Sequence, residues 1–345
     1  MTVLNTNNSH GMSPALAELD AYSRKYLLAW DDKSTVRTQK RSRFKKGSLS
    51  KVVFPLPLKP FMHLPEVQAL SKKKLQPFYL QYFCDMLHHV GRFEVMFVAK
   101  QCGKLANEDL GLELTDSVRQ VAIAIGIDEM YHALVAKELE ADIRMLAGVI
   151  PTALKAARPV KKTRKKQAPP PTALEVFKAS LPERLHRLAE VTLLCILENA
   201  IVDDIIEMAR YAGSDNPADV YVREHLTDES RHKIFFQRLL KYIWTSVSEK
   251  DQVVLGRAIV KNFVGNFTTM PLAQLAGYYS HTLREAGLAD ELARTLGEQV
   301  AIRDVELPLY ELNIVSNLVH LMRVAGVLDH LPTRKLFVKH RLIAA

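Results

Sequence analysis

Apolar residues recur along most of the chain at the three-to-four-residue spacing of an amphipathic helix, so the pattern predicts an all-α protein. A short helix is expected near Ser13 to Trp30. Four successive long helices predict a bundle with a common core, without a sheet. They cover about Lys74 to Asn107, Thr115 to Ala147, Leu181 to Ala212 and Pro217 to Thr245.

The predicted helix ends carry suitable residues. Thr115 offers an N-cap, Gly213 terminates the third long helix, and Pro217 occupies a favoured first-turn position. Residues 66–345 are therefore expected to form one helical-bundle domain, preceded over residues 1–65 by the first helix and a basic irregular segment. The C-terminal part, from about Glu249, adds further helices, including Ala289 to Val305 and Tyr310 to Ala325.

Much of the net charge of +9 lies in two patches, Thr38 to Lys51 and Lys161 to Pro171. The second patch ends in three prolines, which predicts a mobile loop over about 158–173. Neither patch carries interleaved aromatic residues or a nucleic-acid-binding motif. A solvated surface is therefore favoured over a nucleic-acid partner.

The chain shows no secretory signal in its first residues, MTVLNTNNSHGM, and no apolar run near the ~18–20 residues of a membrane span. Cys84, Cys102 and Cys195 lie far apart within apolar helical patterns. Free buried thiols fit a reducing compartment. We therefore expect a cytoplasmic protein without a membrane partner.

Two related pentapeptides carry the candidate chemistry: DEMYH, which contains Glu129 and His132, and DESRH, which contains Glu229 and His232. Each pair is spaced i, i+3, about 60° apart on one helix face. Apolar residues share both faces, so these carboxylates point towards the core. An ionised carboxylate is costly to bury without a partner, and a metal ion satisfies a carboxylate and a neutral imidazole together.

Glu94 and Glu198 each stand alone on an apolar stripe of another long helix. The order Glu, Glu-x-x-His, Glu, Glu-x-x-His is the ligand inventory of ferritin-like di-iron and di-manganese bundles. The alternative is four structural glutamates with ion partners on other helices. A further Glu-x-x-His pair, Glu183–His186, lies at a helix start, where the helix dipole explains the glutamate.

His225 shares a helix face with Glu229 and His232. It is either a further metal ligand or a core histidine. Asp128 and Asp228 are candidates for orienting a ligand imidazole through its second ring nitrogen, against surface or capping roles.

With His225, the pattern His-x-x-x-Glu-x-x-His resembles the AurF-type di-iron N-oxygenases, which act on p-aminobenzoate and related arylamines. The resemblance covers about Lys74 to Thr245. It implies two iron ions, with manganese as the alternative, and O2 as co-substrate. It also implies that Glu129 and Glu229 bridge the metals, that Glu94 and His132 complete one site, and that Glu198, His225 and His232 complete the other.

The resemblance implies oxidation of an amine to hydroxylamine and onward to nitroso or nitro, in secondary metabolism. Met86, His89 and Val202 line the expected substrate pocket, and Arg303 is a candidate for holding a substrate carboxylate. Because Met86 and Val202 are apolar, we expect an amine other than p-aminobenzoate, amino-acid-derived or carrier-linked.

Two alternatives remain open: a di-iron hydroxylase or desaturase that attacks C–H bonds, and a non-catalytic iron-binding bundle. No flavin, NAD or iron–sulfur motif is visible, so a separate electron donor is expected. A homodimer is expected as well.

Overall fold

The structure is a computed structural model of the 345-residue chain. It describes residues 12–52, 60–107, 112–156, 172–200, 206, 208–210, 212–267, 270–307 and 309–344. Val202 and nearly all of the predicted loop at 158–173 lie outside these residues.

The described residues contain helices and no strands, which confirms the all-α prediction. A π-helical segment, Glu94–Ala99, joins the helix that ends at Phe93 to the helix that begins at Lys100. Short 3₁₀ turns include Glu183–Leu185, immediately before the helix that begins at His186. The helices are α1 Pro14–Lys33, α2 Thr35–Thr38, α3 Pro65–Gln68, α4 Lys72–Phe93, α5 Lys100–Asn107, α6 Asp116–Ala147, α7 Thr152–Ala156, α8 Ala173–Ala179, α9 His186–Ala200, α10 Pro217–Ser246, α11 Glu249–Phe267, α12 Leu272–Glu285, α13 Asp290–Glu306, α14 Asn313–Val324 and α15 Leu331–Lys339.

Four long helical elements form a closed arrangement at the centre of the protein. The α4–α5 element packs against α6, α6 packs against α10, α10 packs against α9, and α9 packs back against α5. Their inward faces supply fully buried side chains such as Leu105, Ile125, Leu194 and Phe236. Burial of these apolar faces is the main force that holds the four elements together.

The helix ends follow the expected chemistry. The Thr115 hydroxyl accepts a hydrogen bond from the backbone N–H of Val118 at the start of α6. At the other end Gly148 adopts a left-handed conformation (φ 69°), which a glycine tolerates best. α10 begins at Pro217 as predicted, and Asn216 caps it by accepting from the N–H of Ala218.

The N-terminal helix α1 packs against both α6 and α10. Its buried side chains, among them Leu16, Leu19 and Tyr26, belong to the same hydrophobic core as α6, α9 and α10. The N-terminal segment before residue 66 therefore contributes α1 to the hydrophobic core of the bundle.

Outer layers pack on this centre. α14 contacts α9, while α12 and α13 pack closely together beside the beginning of α4. A Cβ atom at Gly297 of α13 would lie 2.4 Å from the Ser280 hydroxyl oxygen, so glycine permits this approach. On α9, Glu190 binds the ammonium groups of Lys104 and Lys178, each at 2.6 Å. None of the described helices is apolar over a long enough stretch to cross a membrane.

Candidate metal centre

All seven candidate ligands lie inside the four-helix centre. The most exposed of them, His225, is 7% accessible, and His232 is completely buried. Their ligand atoms form two groups, and within each group the atoms lie within 4.8 Å of one another. The first group is Glu94, His132 and His225, and the second is Glu129, Glu198, Glu229 and His232.

The first group corrects one detail of the expected ligand sets. The family resemblance implies that His225 shares a site with Glu198 and His232. Its Nε2 instead lies 3.3 Å from Glu94 Oε1, and its ring centroid is 4.3 Å from that of His132. The helix-face pattern of α10 could not reveal this, because the rotation of α10 against α4 and α6 decides which carboxylate His225 meets.

Glu129 and Glu229 belong to the second group but also lie close to histidines of the first. Glu129 faces both: Oε2 is 3.6 Å from His132 Nδ1, and Oε1 is 2.9 Å from His232 Nδ1. Glu229 Oε1 is 3.8 Å from His132 Nδ1, 3.7 Å from His232 Nδ1 and 3.0 Å from His225 Nε2. Each carboxylate therefore lies within reach of histidines from both groups.

Several polar atoms in these groups are buried without a hydrogen-bond partner among the described residues. They are Glu94 Oε2, His132 Nδ1 and Glu198 Oε2, together with Glu129 Oε1 and His232 Nδ1, which lie 2.9 Å apart but without the alignment of a hydrogen bond. Buried polar atoms are normally satisfied, and five orphans in one cluster require an explanation. Carboxylate oxygens and imidazole nitrogens are metal ligands, and two cations among these atoms would satisfy all of them. The donor set therefore fits metal ions.

Burial is the largest influence on the pKa values of three of the glutamates in this cluster. Burial, reinforced by neighbouring carboxylates, raises the pKa of Glu94 and of Glu198 well above the ordinary value. For Glu229, burial acts in the same direction, but the hydrogen bond with His225 and the nearby His232 outweigh it and lower the pKa. Neighbouring carboxylates thus differ in proton affinity, as expected where several like charges share one buried site.

Asp128 and Asp228 bind the candidate ligand histidines across the helix pair. Asp228 of α10 lies 3.0 Å from Nε2 of His132 on α6, and Asp128 of α6 lies 3.3 Å from Nε2 of His232 on α10. Both carboxylates are completely buried. This leaves each Nδ1 free to face the glutamates, an arrangement common for metal-binding histidines. The structure thus favours the orienting role over the surface role.

The α1–α2 segment holds these two aspartates in place. Asp128 accepts hydrogen bonds from the Tyr26 hydroxyl at 3.1 Å, the Trp30 indole N–H at 3.0 Å and the Ser34 hydroxyl at 2.5 Å. Sequence reasoning missed this contribution, because these donors lie about a hundred residues before Asp128.

Asp228 has its own donors. It accepts from the Thr35 hydroxyl and, at 3.3 Å, from the Thr35 backbone N–H. The Arg231 guanidinium donates to the same carboxylate. Burial raises the pKa of Asp228, but His132, His232 and Thr35 outweigh burial and bring it to about 2. The carboxylate is therefore ionised at neutral pH and suited to hold the N–H of His132.

Glu94 begins the π-helical segment that joins α4 to α5. Single π-helical turns within α-helices occur frequently at functional sites. The π segment was not visible from the sequence.

Tyr221 is another residue that sequence reasoning missed. Its position four residues before His225 places it on the same face of α10, and this spacing could have indicated it. Its ring centroid lies 5.4 Å from that of His225, and its hydroxyl is buried with no hydrogen-bond partner among the described residues. Burial, then the carboxylates of Glu94, Glu129 and Glu229, raise its pKa well above the ordinary value. A neutral phenol therefore stands beside the cluster.

Of the predicted substrate-pocket residues that the structure describes, two line a groove and one does not. Met86, half-buried, and His89, exposed, line a groove of about 630 Å³ between α4 and α12. Val90 also lines the groove and precedes Glu94 by one helical turn. Arg303 is exposed on α13 and does not line this groove, so a contact with a substrate carboxylate there is not supported.

Glu183 and His186, the pair set aside on sequence grounds, belong to neither ligand group. His186 Nε2 instead lies 3.1 Å from the Leu181 carbonyl oxygen at the start of α9.

Comparison with protein-family models gives no match, and a search of curated proteins gives no match either.

Proposed function

We propose that this chain is a ferritin-like di-iron oxygenase that uses O2 to oxidise an amine nitrogen. The observation that carries the proposal is the third imidazole: His225 adds a seventh ligand to a cluster of four glutamates and two other histidines. The buried orphan atoms support two metal ions. Imidazole and carboxylate ligands suit iron or manganese.

In this proposal Glu94, His132 and His225 would hold one ion, and Glu198 and His232 would hold the other. Glu129 and Glu229 would contribute to both sites, because each lies close to histidines of both groups. Two ferrous ions bound there would supply the electrons for the reduction of O2, and a separate donor would restore them.

The protein's own contribution is orientation and exclusion of water. Asp228 and Asp128 fix the ring nitrogens of His132 and His232, so that Nδ1 of each is available to a metal. α1 closes this side of the cluster with Tyr26 and Trp30. The neutral Tyr221 phenol is placed to donate a hydrogen bond to a group bound at the cluster.

The groove between α4 and α12 is the proposed route for the amine. Phe78, Tyr82 and Tyr278 give it aromatic walls, and its carboxylates are Asp85 and Glu285. No lysine or arginine appears among the described residues that line it. A substrate carboxylate such as that of p-aminobenzoate would lack a lysine or arginine partner and could meet only the imidazoles of His89 and His281. The proposed substrate is therefore an aromatic or extended amine without a carboxylate near the groove.

Metal content tests the centre. Protein reconstituted anaerobically with ferrous iron is expected to bind about two iron ions per chain, and Glu129→Ala to bind fewer. Glu183→Ala is a matched control, since Glu183 precedes a histidine at the same spacing outside the cluster. Less than about one iron per wild-type chain would overturn the metal assignment.

Turnover tests the reaction. Reduced, iron-loaded protein is mixed with O2 and either p-aminobenzoate or p-anisidine, which lacks the carboxylate, and products are identified by mass spectrometry. Hydroxylamine, nitroso or nitro products from p-anisidine are expected. Oxygen insertion at carbon with no N-oxidation would favour the hydroxylase alternative. Rapid nitro formation from p-aminobenzoate would contradict the proposed substrate class.

A further inference from the structure

One side chain of α1 links the protein surface to the candidate metal centre. The indole N–H of Trp30 donates a hydrogen bond to Asp128 Oδ1 at 3.0 Å, and Asp128 Oδ2 lies 3.3 Å from Nε2 of His232. His232 belongs to the second ligand group. The indole ring is therefore joined through one carboxylate to an imidazole that would bind a metal ion.

The members of this path differ in their exposure to water. Trp30 is half-buried, so part of its ring reaches the surface, whereas Asp128 and His232 are completely buried. Tyr26 also donates to Asp128, but it is only 4% accessible. Among the described donors to Asp128, Trp30 is thus the aromatic side chain that a molecule in solution can reach.

The second aspartate has no such connection. Asp228, which holds His132, accepts from the hydroxyl and backbone N–H of Thr35 and from the Arg231 guanidinium. None of these donors carries an aromatic ring. The two crossed pairs of aspartate and histidine are therefore similar towards the metal centre but different towards the surface.

We propose that Trp30 is the residue through which electrons from the separate donor protein enter the metal centre. The inference rests on the metal-binding part of the proposed function and not on the amine substrate. Electronic coupling falls steeply across gaps between packed atoms, and it is better maintained through a conjugated ring and hydrogen bonds. The path through Trp30, Asp128 and His232 has no such gap.

The electrons balance as follows. One electron leaves the donor protein, which is oxidised, and one ferric ion at the centre becomes ferrous. Two such transfers restore both ions. Trp30 is the same before and after each transfer, and no proton needs to move along the path.

A purely structural role for Trp30 makes a different prediction. A buried indole N–H normally finds an acceptor, and Asp128 is within reach of α1. The Ser34 hydroxyl donates to the same oxygen of Asp128 at 2.5 Å, but it has no conjugated ring. Ser34→Ala and Trp30→Phe each remove one donor to Asp128, and only Trp30→Phe removes the indole. Ser34→Ala is therefore the matched control.

The first measurement tests the hydrogen bond in metal-free protein. The chain contains two tryptophans, and Trp244 packs against the His330 ring at the other end of α10. With isotope-labelled tryptophan, Trp244→Phe assigns the two indole N–H signals in the NMR spectrum. The Trp30 signal is expected to lie downfield and to exchange slowly with deuterium, because a buried carboxylate accepts its proton.

The second measurement times electron entry. Lys33 is exposed three residues after Trp30 on α1, so the two side chains share a helix face. A ruthenium photosensitiser is attached to Lys33→Cys, and the native cysteines are buried and remain unlabelled. A flash in the presence of a sacrificial reductant supplies electrons at this point, and the loss of ferric absorbance gives the rate. All variants are loaded to equal iron content and checked by circular dichroism.

In this background, Trp30→Phe is expected to slow reduction of the ferric protein about tenfold or more, because a phenyl ring leaves a gap before Asp128. Ser34→Ala should slow it less than about threefold. A solvent-like Trp30 indole signal, an unchanged rate in Trp30→Phe, or equal slowing in both variants would each overturn the proposal. A chain that binds no iron would refute the metal centre as well, whereas unchanged rates in iron-loaded protein refute only the role of Trp30.

Discussion

Asp228→Asn is the sharpest test of how the candidate metal centre is supported. Asp228 is a completely buried carboxylate on α10, and it holds Nε2 of His132 at 3.0 Å. It also accepts hydrogen bonds from the hydroxyl and the backbone N–H of Thr35, and from Arg231. Asparagine has nearly the same shape, so the substitution changes charge and hydrogen bonding with little change in packing.

The size of the effect follows from these contacts. Oδ2 of Asp228 accepts from His132 and the Thr35 hydroxyl, Oδ1 accepts from Arg231, and the Thr35 backbone N–H lies 3.3 Å from both oxygens. An asparagine amide must turn its NH2 group either towards His132 and the Thr35 hydroxyl or towards Arg231, so at least one of these contacts is lost in either orientation. Substitution of residues that orient metal ligands typically costs 10–100-fold in metal affinity. That range corresponds to about 1.4–2.8 kcal/mol.

The assay is anaerobic competition for ferrous iron against a chromogenic chelator, with circular dichroism to verify the fold. Glu224→Gln is the control, because Glu224 is half-buried on the same helix and belongs to neither ligand group. Thr35→Val, which removes one hydroxyl donor to Asp228, is expected to weaken metal binding less than Asp228→Asn. If folded Asp228→Asn binds iron within about twofold of the wild type, the orienting role of Asp228 is wrong.

Three further predictions concern stability and reactivity. Burial raises the pKa of Glu190, but its two lysine partners outweigh burial and lower it. Glu190→Gln should therefore lower the free energy of unfolding, measured with urea at pH 7, by about 1 kcal/mol. This difference should shrink as the pH falls below about 4, because Glu190 of the wild type then becomes protonated. Gly297→Val, which collides with the backbone of Ser280, should cost about 1–3 kcal/mol in the same assay, whereas an unchanged midpoint would contradict the close approach of α12 and α13. Burial raises the pKa of the Cys84 thiol to about 12 and also raises the pKa values of Cys102 and Cys195. Iodoacetamide should therefore modify no cysteine in the folded protein at pH 8, and all three cysteines in urea. Modification of the folded protein would contradict the burial of these thiols.

The sequence by itself determined the helices and the composition of the candidate site. Glu129 and His132 share a face because an i, i+3 spacing within one helix fixes their relative direction. The apolar residues beside them indicated that this face is buried, as the structure shows. The same reasoning found Glu94 and Glu198 on their own helices. Local spacing and burial were enough for these inferences, because both act within a single element.

Only the tertiary structure decided which helix faces meet. The rotation of α10 against α4 placed His225 beside Glu94, whereas the family resemblance implied a site shared with Glu198. The crossed pairs of Asp128 with His232 and Asp228 with His132 depend on the contact between α6 and α10. Helical periodicity fixes the direction of a side chain within its own helix, but the packing of whole faces sets the position of one helix relative to another. For the same reason, the contribution of α1 to the centre could not be found before the fold was known.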